Sequence, residues 1–373
     1  MKRVRLRDLL ISFLPDGRVL VRSGSTGVGL KGPPVLVAIL AACSRPLSKH
    51  ELEKAMGPQA GLIYDHLAEA GLLVDPEVAG ETPLIFGNYS GVEVHRRMLS
   101  DEVRLSKYRE ALAAVVKPGD VVIDAGSGTG VLAVMAALAG AARVYAIEKT
   151  EFAENIAQVA ADSGVGDRVI VVQDDFGKVV LPEKAQVIVT ETYGAWAFGE
   201  GMMPDLAACA QNNLAPGGVI IPHATSLYVA PLRQAPDHLT APFRAREDGV
   251  NLSSLLHEAV ERSTIFPVDP AQVGEPRLVA RVEMPCDGTF EGEVELDGPA
   301  EALVGWYDLH MAPGIDLKTG PFDPMTHWKQ SVMAIPLEEG AQRFHVEAGP
   351  ADEDSRVLLA VFEGEREHRV RFR

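Results

Sequence analysis

The sequence of 373 residues has few cysteines, no long apolar segment and too few basic residues to balance its acidic ones. The three cysteines, Cys43, Cys209 and Cys286, lie far apart, which argues against a disulfide framework and against a zinc site, so we expect no metal. No apolar run reaches the roughly eighteen residues that a membrane span needs. The basic first residues precede an apolar stretch too short for a secretory signal, so we expect a cytoplasmic protein with no membrane partner.

The excess of acidic residues gives a formal net charge of −17 at pH 7. Phosphate backbones attract clustered Lys and Arg, so this balance argues against a nucleic-acid partner. A cationic substrate is compatible with it, although an acidic surface also serves solubility alone. Hydrophobic residues make up 47% of the chain, enough for each of two or three domains to bury a core.

The stretch 121–148 predicts a strand, a glycine-rich turn and a helix. β-branched residues at 121–123 indicate a buried strand, which ends at Asp124 before an Ala-rich helix. The glycines of the turn are Gly126, Gly128 and Gly130. They let a ligand approach the backbone, Asp124 can anchor it, and Glu148, after the next strand, can bind both hydroxyls of a ribose. The stretch therefore predicts an adenosine-containing cofactor.

The glycine spacing distinguishes between two cofactors. A dinucleotide pyrophosphate requires G-x-G-x-x-G at a helix N-terminus. The spacing here is G-x-G-x-G, and Val131 stands where the dinucleotide motif has its third glycine. S-adenosylmethionine (SAM) has a ribose but no phosphate and fits this turn better. We therefore predict SAM, in preference to NAD or to a purely structural turn.

Two further strands end in acidic residues. The strand predicted at 169–172 precedes Asp175, which we assign to the adenine amino group. The strand predicted at 186–190 precedes a loop in which Glu191 and Glu200 stand nine residues apart. A loop of this size at the carboxyl end of a central strand can bring both carboxylates into one pocket. By themselves, the two glutamates are equally compatible with a solvated turn.

Paired carboxylates suit a guanidinium substrate. Two facing carboxylates repel each other unless a cation lies between them. The sulfonium of SAM repels a guanidinium by roughly 4 kcal/mol at about 4 Å and an effective dielectric constant near 20, so a guanidinium needs carboxylates to approach it. Bidentate contacts also aim one nitrogen at the methyl group and leave it more nucleophilic.

Several motifs resemble those of the protein arginine methyltransferase family, over about residues 85–373. The residues that match the opening pattern of the family are Phe86, Tyr89, His95, Met98, Asp101 and Arg104. Glu191 and Glu200 have the spacing of the family's paired glutamates, and 326–328 reproduces its Thr-His-Trp motif. Ile85 replaces the first tyrosine of the opening pattern, which argues against the usual protein substrates and against asymmetric dimethylation.

The resemblance implies a role for each matching residue. Arg104 binds the cofactor carboxylate, and Glu191 and Glu200 bind the guanidinium. His327, paired with Asp101, accepts the proton that the methylated guanidinium loses, although a single histidine is also a common structural residue. We assign the substrate pocket to Tyr89, Met98, Tyr193 and Trp328. The cofactor site comprises Arg104, Asp124, Gly126, Gly128, Gly130, Glu148 and Asp175.

The predicted fold class is α/β. We predict a small winged-helix-like α+β domain at 1–80, a Rossmann-like SAM-binding domain at 81–222 and an antiparallel β-barrel at 223–373. The first domain has three short strands, three helices and a capping box of Ser48 and Glu51, and it loosely resembles leader-peptide-binding winged-helix domains. A dimerisation arm at 233–262, and hence a homodimer, is implied by the resemblance.

The substrate stays open at this point. Arginine in proteins, arginine in a precursor peptide and free arginine in a specialised metabolite pathway are all compatible with the motifs. Methylation of another side chain of a precursor peptide is an enzymatic alternative. A winged-helix regulator whose methyltransferase-like body senses a ligand is an alternative of another class, although residues 1–80, with ten Lys or Arg and eight Asp or Glu, are less basic than most DNA-binding domains.

Overall fold

A computed structural model describes most of the chain. The described residues are 2–6, 9–14, 17–23, 29–76, 92–236, 239, 252, 263–298, 300–334, 343–350, 357–363 and 366–372. They belong to two compact units, Met1–Arg96 and Arg97–Arg373. The three-domain division at 80 and 222 stays a prediction. None of the described helices is long and apolar enough to cross a membrane.

The first unit contains two small antiparallel sheets, three helices and the start of a fourth helix in its described part. The strands are β1 (Lys2–Arg5), β2 (Leu9–Phe13), β3 (Val19–Ser23), β4 (Gly29–Gly32), β5 (Leu47–Ser48) and β6 (Leu73–Val74). The sheet orders are β5-β1-β6 and β2-β3-β4. The helices are α1 (Val35–Ala42), α2 (Lys49–Met56) and α3 (Pro58–Glu69). The winged-helix assignment of this unit stays a prediction.

Local chemistry explains the helix bounds in this unit. The Ser48 hydroxyl accepts a hydrogen bond from the Glu51 backbone N–H, and the Glu51 carboxylate accepts one from the Ser48 N–H, so the predicted capping box is confirmed. Helix α3 begins at Pro58. Its start has a physical reason, because Pro58 favours the first helical position and Gly57 turns the chain with a φ of +89°.

The second unit begins at Arg97, within α4 (Val92–Leu99). It continues with α5 (Glu102–Val115) and then with a parallel sheet. Its strands are β7 (Val121–Ala125), β8 (Arg143–Ile147), β9 (Val169–Val172), β10 (Ala185–Thr190) and β11 (Leu214–Ile221). The strand order is β11-β10-β7-β8-β9, so the order reverses between β7 and β10. The helices are α6 (Val131–Leu138), α7 (Ala153–Asp162) and α8 (Met203–Asn213).

The central strands are apolar runs because both faces of the sheet are covered. All five residues of β7 are buried, as are the last four of β8 and β10. The Pro-Gly-Gly segment 216–218 lies inside β11. There the register against β10 shifts between Leu214 and Val219, and the chain bulges around Gly217, whose φ is +76°.

The remaining described strands form antiparallel sheets. They are β12 (Ala224–Leu232), β13 (Thr264–Phe266), β14 (Arg277–Glu283), β15 (Gly292–Asp297), β16 (Ala302–Ala312), β17 (Ile315–Lys318), β18 (Gln330–Ala334), β19 (Arg343–Pro350), β20 (Val357–Glu363) and β21 (Arg366–Phe372). One sheet has the order β13-β18-β16-β12-β14 with β17 beside β16, and the other is β15-β19-β20-β21. A parallel α/β sheet followed by antiparallel sheets confirms the predicted fold class.

Some predicted features lie outside the described residues. They include Ile85, Phe86 and Tyr89 of the opening pattern. They also include most of the arm at 233–262, of which only 233–236, 239 and 252 are described. Their predicted roles stay predictions.

Candidate active site

The predicted site residues meet at the carboxyl ends of β7 and β10, where the strand order reverses. Asp124 is the penultimate residue of β7 and lies beside Val189 of β10, and Glu191 follows the last residue of β10. The Thr190 hydroxyl donates to the Ala125 carbonyl oxygen at 2.8 Å, which ties the two strand ends together. Open α/β sheets bind ligands at such a position because the diverging loops leave a crevice.

The glycine turn is fixed to the end of β8. The N–H groups of Gly126 and Ser127 donate to the carbonyl oxygen of Ile147, each at 3.0 Å. The Gly128 N–H donates to Glu148 Oε2 at 2.7 Å, and the Thr150 N–H donates to Glu148 Oε1 at 2.7 Å. The carboxylate predicted to bind a ribose is therefore held in place by backbone donors on both sides.

Left-handed backbone and close packing both favour glycine in this turn. Gly126 and Gly130 have φ values of +78° and +79°. A Cβ on Gly126 would lie 2.9 Å from Thr192 Cγ2, and one on Gly130 would lie 2.7 Å from Ile156 Cγ2. At these two positions the turn therefore has no room for a side chain.

Asp124 is fully buried and only partly hydrogen-bonded. Its Oδ2 accepts a hydrogen bond from the Ala133 N–H at 2.9 Å, while Oδ1 has no partner among the described residues. Burial, together with the nearby charge of Glu148, raises the pKa of Asp124 to about 7. A buried carboxylate oxygen without a donor fits a ligand that brings one, such as a ribose hydroxyl or an amino group.

Arg104 lies on α5 and points into the crevice with its side chain 5% exposed. Its Nη1 donates to Glu191 Oε2, and its Nη2 donates to the Met98 carbonyl oxygen at 2.8 Å. Its Nε has no partner among the described residues. The guanidinium assigned to the cofactor carboxylate is therefore paired with a glutamate assigned to the substrate.

Glu191 is a carboxylate in an unfavourable place for its charge, with a side chain only 10% exposed. The pKa of Glu191 is raised to about 8. Burial is the main cause and the charges of Glu200 and Asp101 add to it, while Arg104 lowers the pKa. A second cation stabilises the ionised form of Glu191, because the cation offsets both the lost hydration of the carboxylate and its repulsion from Glu200.

The loop from Glu191 to Glu200 folds back on itself. The Gly194 N–H donates to the Ala197 carbonyl oxygen at 3.0 Å, and Trp196 and Ala197 have φ values of +44° and +66°. Non-glycine residues with positive φ are strained, so surrounding contacts must hold the loop. A Cβ on Gly194 would lie 2.6 Å from Glu200 Cγ, which shows how closely the Glu200 side chain packs against the backbone of the loop.

His327 pairs with Asp101, as the resemblance implies. His327 Nδ1 lies 2.9 Å from Asp101 Oδ2, and the His327 backbone N–H donates to the same oxygen at 2.7 Å. Burial lowers the pKa of His327 more than the hydrogen bond to Asp101 raises it. Burial alone would raise the pKa of Asp101, but its hydrogen bonds with His327 and Arg104 lower it. The histidine is thus neutral near pH 7, with its tautomer set by the aspartate.

Aromatic residues enclose the loop. Trp328 Nε1 donates to the Tyr193 carbonyl oxygen at 2.7 Å, and the Trp328 ring lies 4.4 Å from that of His327. Tyr193 stacks on Tyr307 with ring centres 6.3 Å apart. Trp196 Nε1 donates to the Tyr228 carbonyl oxygen at 3.0 Å, which anchors the strained tip of the loop to β12.

Met98 and Asp175 have contacts within the protein that their predicted roles do not include. Met98 contributes its carbonyl oxygen to Arg104. Asp175 follows β9 at the same edge of the sheet, where it accepts the Gly177 N–H at 3.1 Å and pairs with Lys149 at 3.3 Å. Asp175 is thus held as an ionised acceptor at the outer end of the crevice, and its adenine contact stays a prediction.

The sequence analysis missed two tyrosine residues at the site. The Tyr108 hydroxyl donates to the Thr190 carbonyl oxygen at 2.8 Å and supports the strand end before Glu191. Tyr307, on β16, packs beside the loop. No local motif marks these residues, because each looks like an ordinary core residue of a helix or strand.

Comparisons with known proteins agree with this arrangement. The family model described as ribosomal protein L11 methyltransferase (PrmA) matches residues 109–221, and the arginine methyltransferase oligomerization subdomain matches residues 224–349. Protein arginine N-methyltransferase 1 of Chlamydomonas reinhardtii is 30% identical over 266 residues, which cover 67% of this chain and 77% of the relative. Protein arginine N-methyltransferase 6 of Danio rerio is 28% identical over 306 residues, 74% of this chain and 88% of the relative.

Solved structures show the same fold. A Trypanosoma brucei PRMT1 enzyme-prozyme complex with AdoHcy has a TM-score of 0.68 at 24% identity, covering 76% of this chain and 99% of that one. Protein arginine methyltransferase 10 of Arabidopsis thaliana has a TM-score of 0.61 at 22% identity, covering 76% and 97%. From the relative that reaches 30% identity over most of its own length, we conclude that this chain belongs to the protein arginine N-methyltransferase family.

Proposed function

We propose that this protein transfers a methyl group from SAM to a guanidino nitrogen of arginine. The observation that carries this proposal is the pairing of buried Glu191 with the guanidinium of Arg104. The pocket therefore already binds the functional group that a substrate arginine would bring. Relatives named as protein arginine N-methyltransferases support the same reaction.

The crevice fits SAM on its own chemistry. The unpartnered Asp124 Oδ1, the Glu148 carboxylate at the glycine turn and the Arg104 guanidinium suit the hydroxyl, ribose and carboxylate groups of this molecule. When bound, SAM supplies a methyl group on a cationic sulfur, which is open to attack by a nitrogen. For Arg104 to bind the cofactor carboxylate, it must release Glu191 at least in part.

The protein's own residues then have separate tasks. Glu191 and Glu200 hold the substrate guanidinium and keep its positive charge on the nitrogens that do not react. His327, neutral and oriented by Asp101, accepts the proton released by the methylated nitrogen. The strained loop positions both glutamates, so little reorganisation remains at the moment of reaction.

We propose arginine in a peptide or protein as the substrate. The names of the relatives support a protein substrate, and residues 1–96 form an additional compact unit before the region that the family models match. This unit is a candidate for recruiting a peptide. Free arginine in a specialised metabolite pathway is the competing proposal.

Mass spectrometry tests both the reaction and the substrate. The full chain is incubated with SAM and either free L-arginine or a panel of arginine peptides, with lysine-substituted peptides as matched controls. We expect a gain of one or more methyl groups on arginine peptides only. A gain on free arginine would instead support a small-molecule enzyme, and a gain on the lysine peptides would contradict guanidino specificity.

We also propose a homodimer. Residues 224–349 match an oligomerization subdomain, and one neighbouring fold comes from a heterotetrameric complex. The predicted arm at 233–262 falls within this region.

A further inference from the structure

Tyr307 stands beside the paired glutamates although no motif includes it. It lies on β16, packs with the core of the parallel sheet, and is 2% exposed. Its ring centre lies 6.3 Å from that of Tyr193, in the glutamate loop, and 5.7 Å from that of Trp328, next to His327. Trp306, its neighbour in the strand, packs in a separate core with Tyr228 on the other face of the sheet.

The backbone at Tyr307 is rigidly held. The Thr319 hydroxyl donates to the Tyr307 carbonyl oxygen at 2.7 Å and accepts from its N–H at 3.2 Å. The ring is held between two aromatic neighbours that are themselves hydrogen-bonded to each other through the Tyr193 carbonyl oxygen. The position of the hydroxyl is therefore set by the fold and does not depend on an exposed, mobile side chain.

The hydroxyl of Tyr307 has no hydrogen-bond partner among the described residues. By contrast, the buried hydroxyl of Tyr108 donates to a carbonyl oxygen at 2.8 Å. A buried phenol without a partner costs roughly 1–3 kcal/mol relative to a satisfied one. Since buried polar groups are nearly always hydrogen-bonded, the Tyr307 hydroxyl fits a ligand that enters the site.

The electrostatics of the site define the ligand. Burial raises the pKa of Tyr307 well above its usual value, and the charges of Glu191 and Glu200 raise it further, so the phenol stays protonated. The phenol oxygen can accept one N–H group while its own proton points to a carboxylate. A guanidinium presents five N–H donors. Two carboxylates in bidentate contacts do not accept all of them.

We propose that the Tyr307 hydroxyl accepts a hydrogen bond from the substrate guanidinium and positions it beside Glu191 and Glu200. This inference rests on the proposed arginine methylation and adds a third polar contact that orients the guanidinium plane. Such a contact favours arginine over lysine, because an ammonium offers three N–H groups at one point instead of five in a planar fork.

The test compares Tyr307→Phe with the full-length wild-type chain. Calorimetric titration with an acetyl-Gly-Arg-Gly-amide peptide, in the presence of S-adenosylhomocysteine, measures substrate binding without turnover. We expect the dissociation constant of Tyr307→Phe, and its KM for the same peptide, to rise about tenfold. The affinity for SAM should stay within about twofold and the melting temperature should not fall, because the lost hydroxyl has no partner among the described residues.

Tyr228→Phe is the matched control, since it removes a phenol from the neighbouring strand on the other face of the sheet. It should leave peptide affinity and KM unchanged. An unchanged peptide affinity in Tyr307→Phe, with an active wild type, would overturn this inference alone. A fall in melting temperature and SAM affinity together with peptide affinity would also overturn it, because it would indicate a structural role. A wild type that binds no arginine peptide would overturn the proposed function as well.

Discussion

At the scale of single residues, burial disfavours the negative charge of Glu191, and a guanidinium stabilises that charge. Glu191 is buried beside Arg104, within the influence of both Glu200 and Asp101. A lone glutamate in this position would be largely neutral at pH 7. The charge of a ligand therefore matters as much as its shape, and Arg104 already supplies one cation to Glu191.

Replacing Glu191 by glutamine tests this role directly. The variant keeps the shape of the side chain but removes its charge, so we expect kcat/KM for arginine peptides to fall at least about 100-fold. Glu183→Gln is the control, because Glu183 is a more exposed carboxylate paired with Arg143. It should keep activity within about twofold. Retention of more than about a tenth of the activity by Glu191→Gln would favour a substrate other than arginine.

The raised pKa of Glu191 also predicts a pH dependence. The carboxyl group is neutral below a pKa of about 8 and binds a guanidinium only when ionised, so kcat/KM should rise as the pH increases from about 7 to 9. His327 does not account for such a rise, because its pKa lies below 6.5 and it is neutral throughout this range. A profile measured with an arginine peptide that is flat between these values would contradict the assignment.

The same group affects stability with the opposite sign. The folded protein keeps a proton on Glu191 up to about pH 8, whereas the unfolded chain releases it near 4.5. The contribution of Glu191 to the free energy of unfolding therefore falls as the pH rises between these two values. Between about pH 7 and 8, activity should therefore rise while the contribution of Glu191 to stability falls, which is a trade-off between function and stability.

At the scale of structural elements, the turn between β7 and α6 depends on glycine for packing as well as for conformation. Gly130 ends the turn with a φ of +79° and begins α6 as its N-cap. The missing side chain leaves room for Ile156 of α7. The turn therefore joins the cofactor crevice to the packing of two helices.

Two alanine substitutions separate these contributions. Gly164→Ala places a side chain at a φ of +73° with no atom within 4 Å, and we expect a loss of about 1 kcal/mol in the free energy of unfolding. Gly130→Ala adds a contact at 2.7 Å with Ile156 Cγ2, so its loss should exceed that of Gly164→Ala by roughly 1–3 kcal/mol. Urea denaturation measures both. Equal losses would show that Ile156 moves aside freely.

At the scale of the whole molecule, the chain contains a region that matches the methyltransferase family models and an additional unit that precedes this region. The family models match residues 109–221 and 224–349, and the compact unit of residues 1–96 has its own core, which includes Leu36, Leu52 and Leu72. A separate core of this kind suits a module with a task of its own. The peptide panel described above decides whether that task is substrate recruitment.

The proposed homodimer predicts a mass in solution. The chain has a mass of 40.0 kDa, so light scattering after size-exclusion chromatography should give twice that value, about 80 kDa. The mass should not change between about 1 and 50 µM if the interface is of the obligate kind. A mass of one chain over this range would contradict the dimer.

The sequence determined the parallel sheet and most of the groups around its crevice. Strand β9 has the predicted bounds Val169–Val172, and strand β10 ends at Thr190, as predicted. These predictions succeed because buried runs, alternation and turn residues are local signals that need no knowledge of the rest of the chain. The positions of Glu148 and of the glutamate loop follow from the same logic, since acidic residues at the ends of parallel strands meet at one edge.

Only the tertiary structure decided which of these groups contact one another. Arg104 and Glu191 are 87 residues apart, and their pairing depends on where α5 packs against the end of β10. Tyr307 lies in a strand whose alternation places it inward without saying what it faces. Contacts between distant segments depend on packing, and packing depends on all the side chains at once. A residue such as Tyr307 therefore shows its role only in the folded protein.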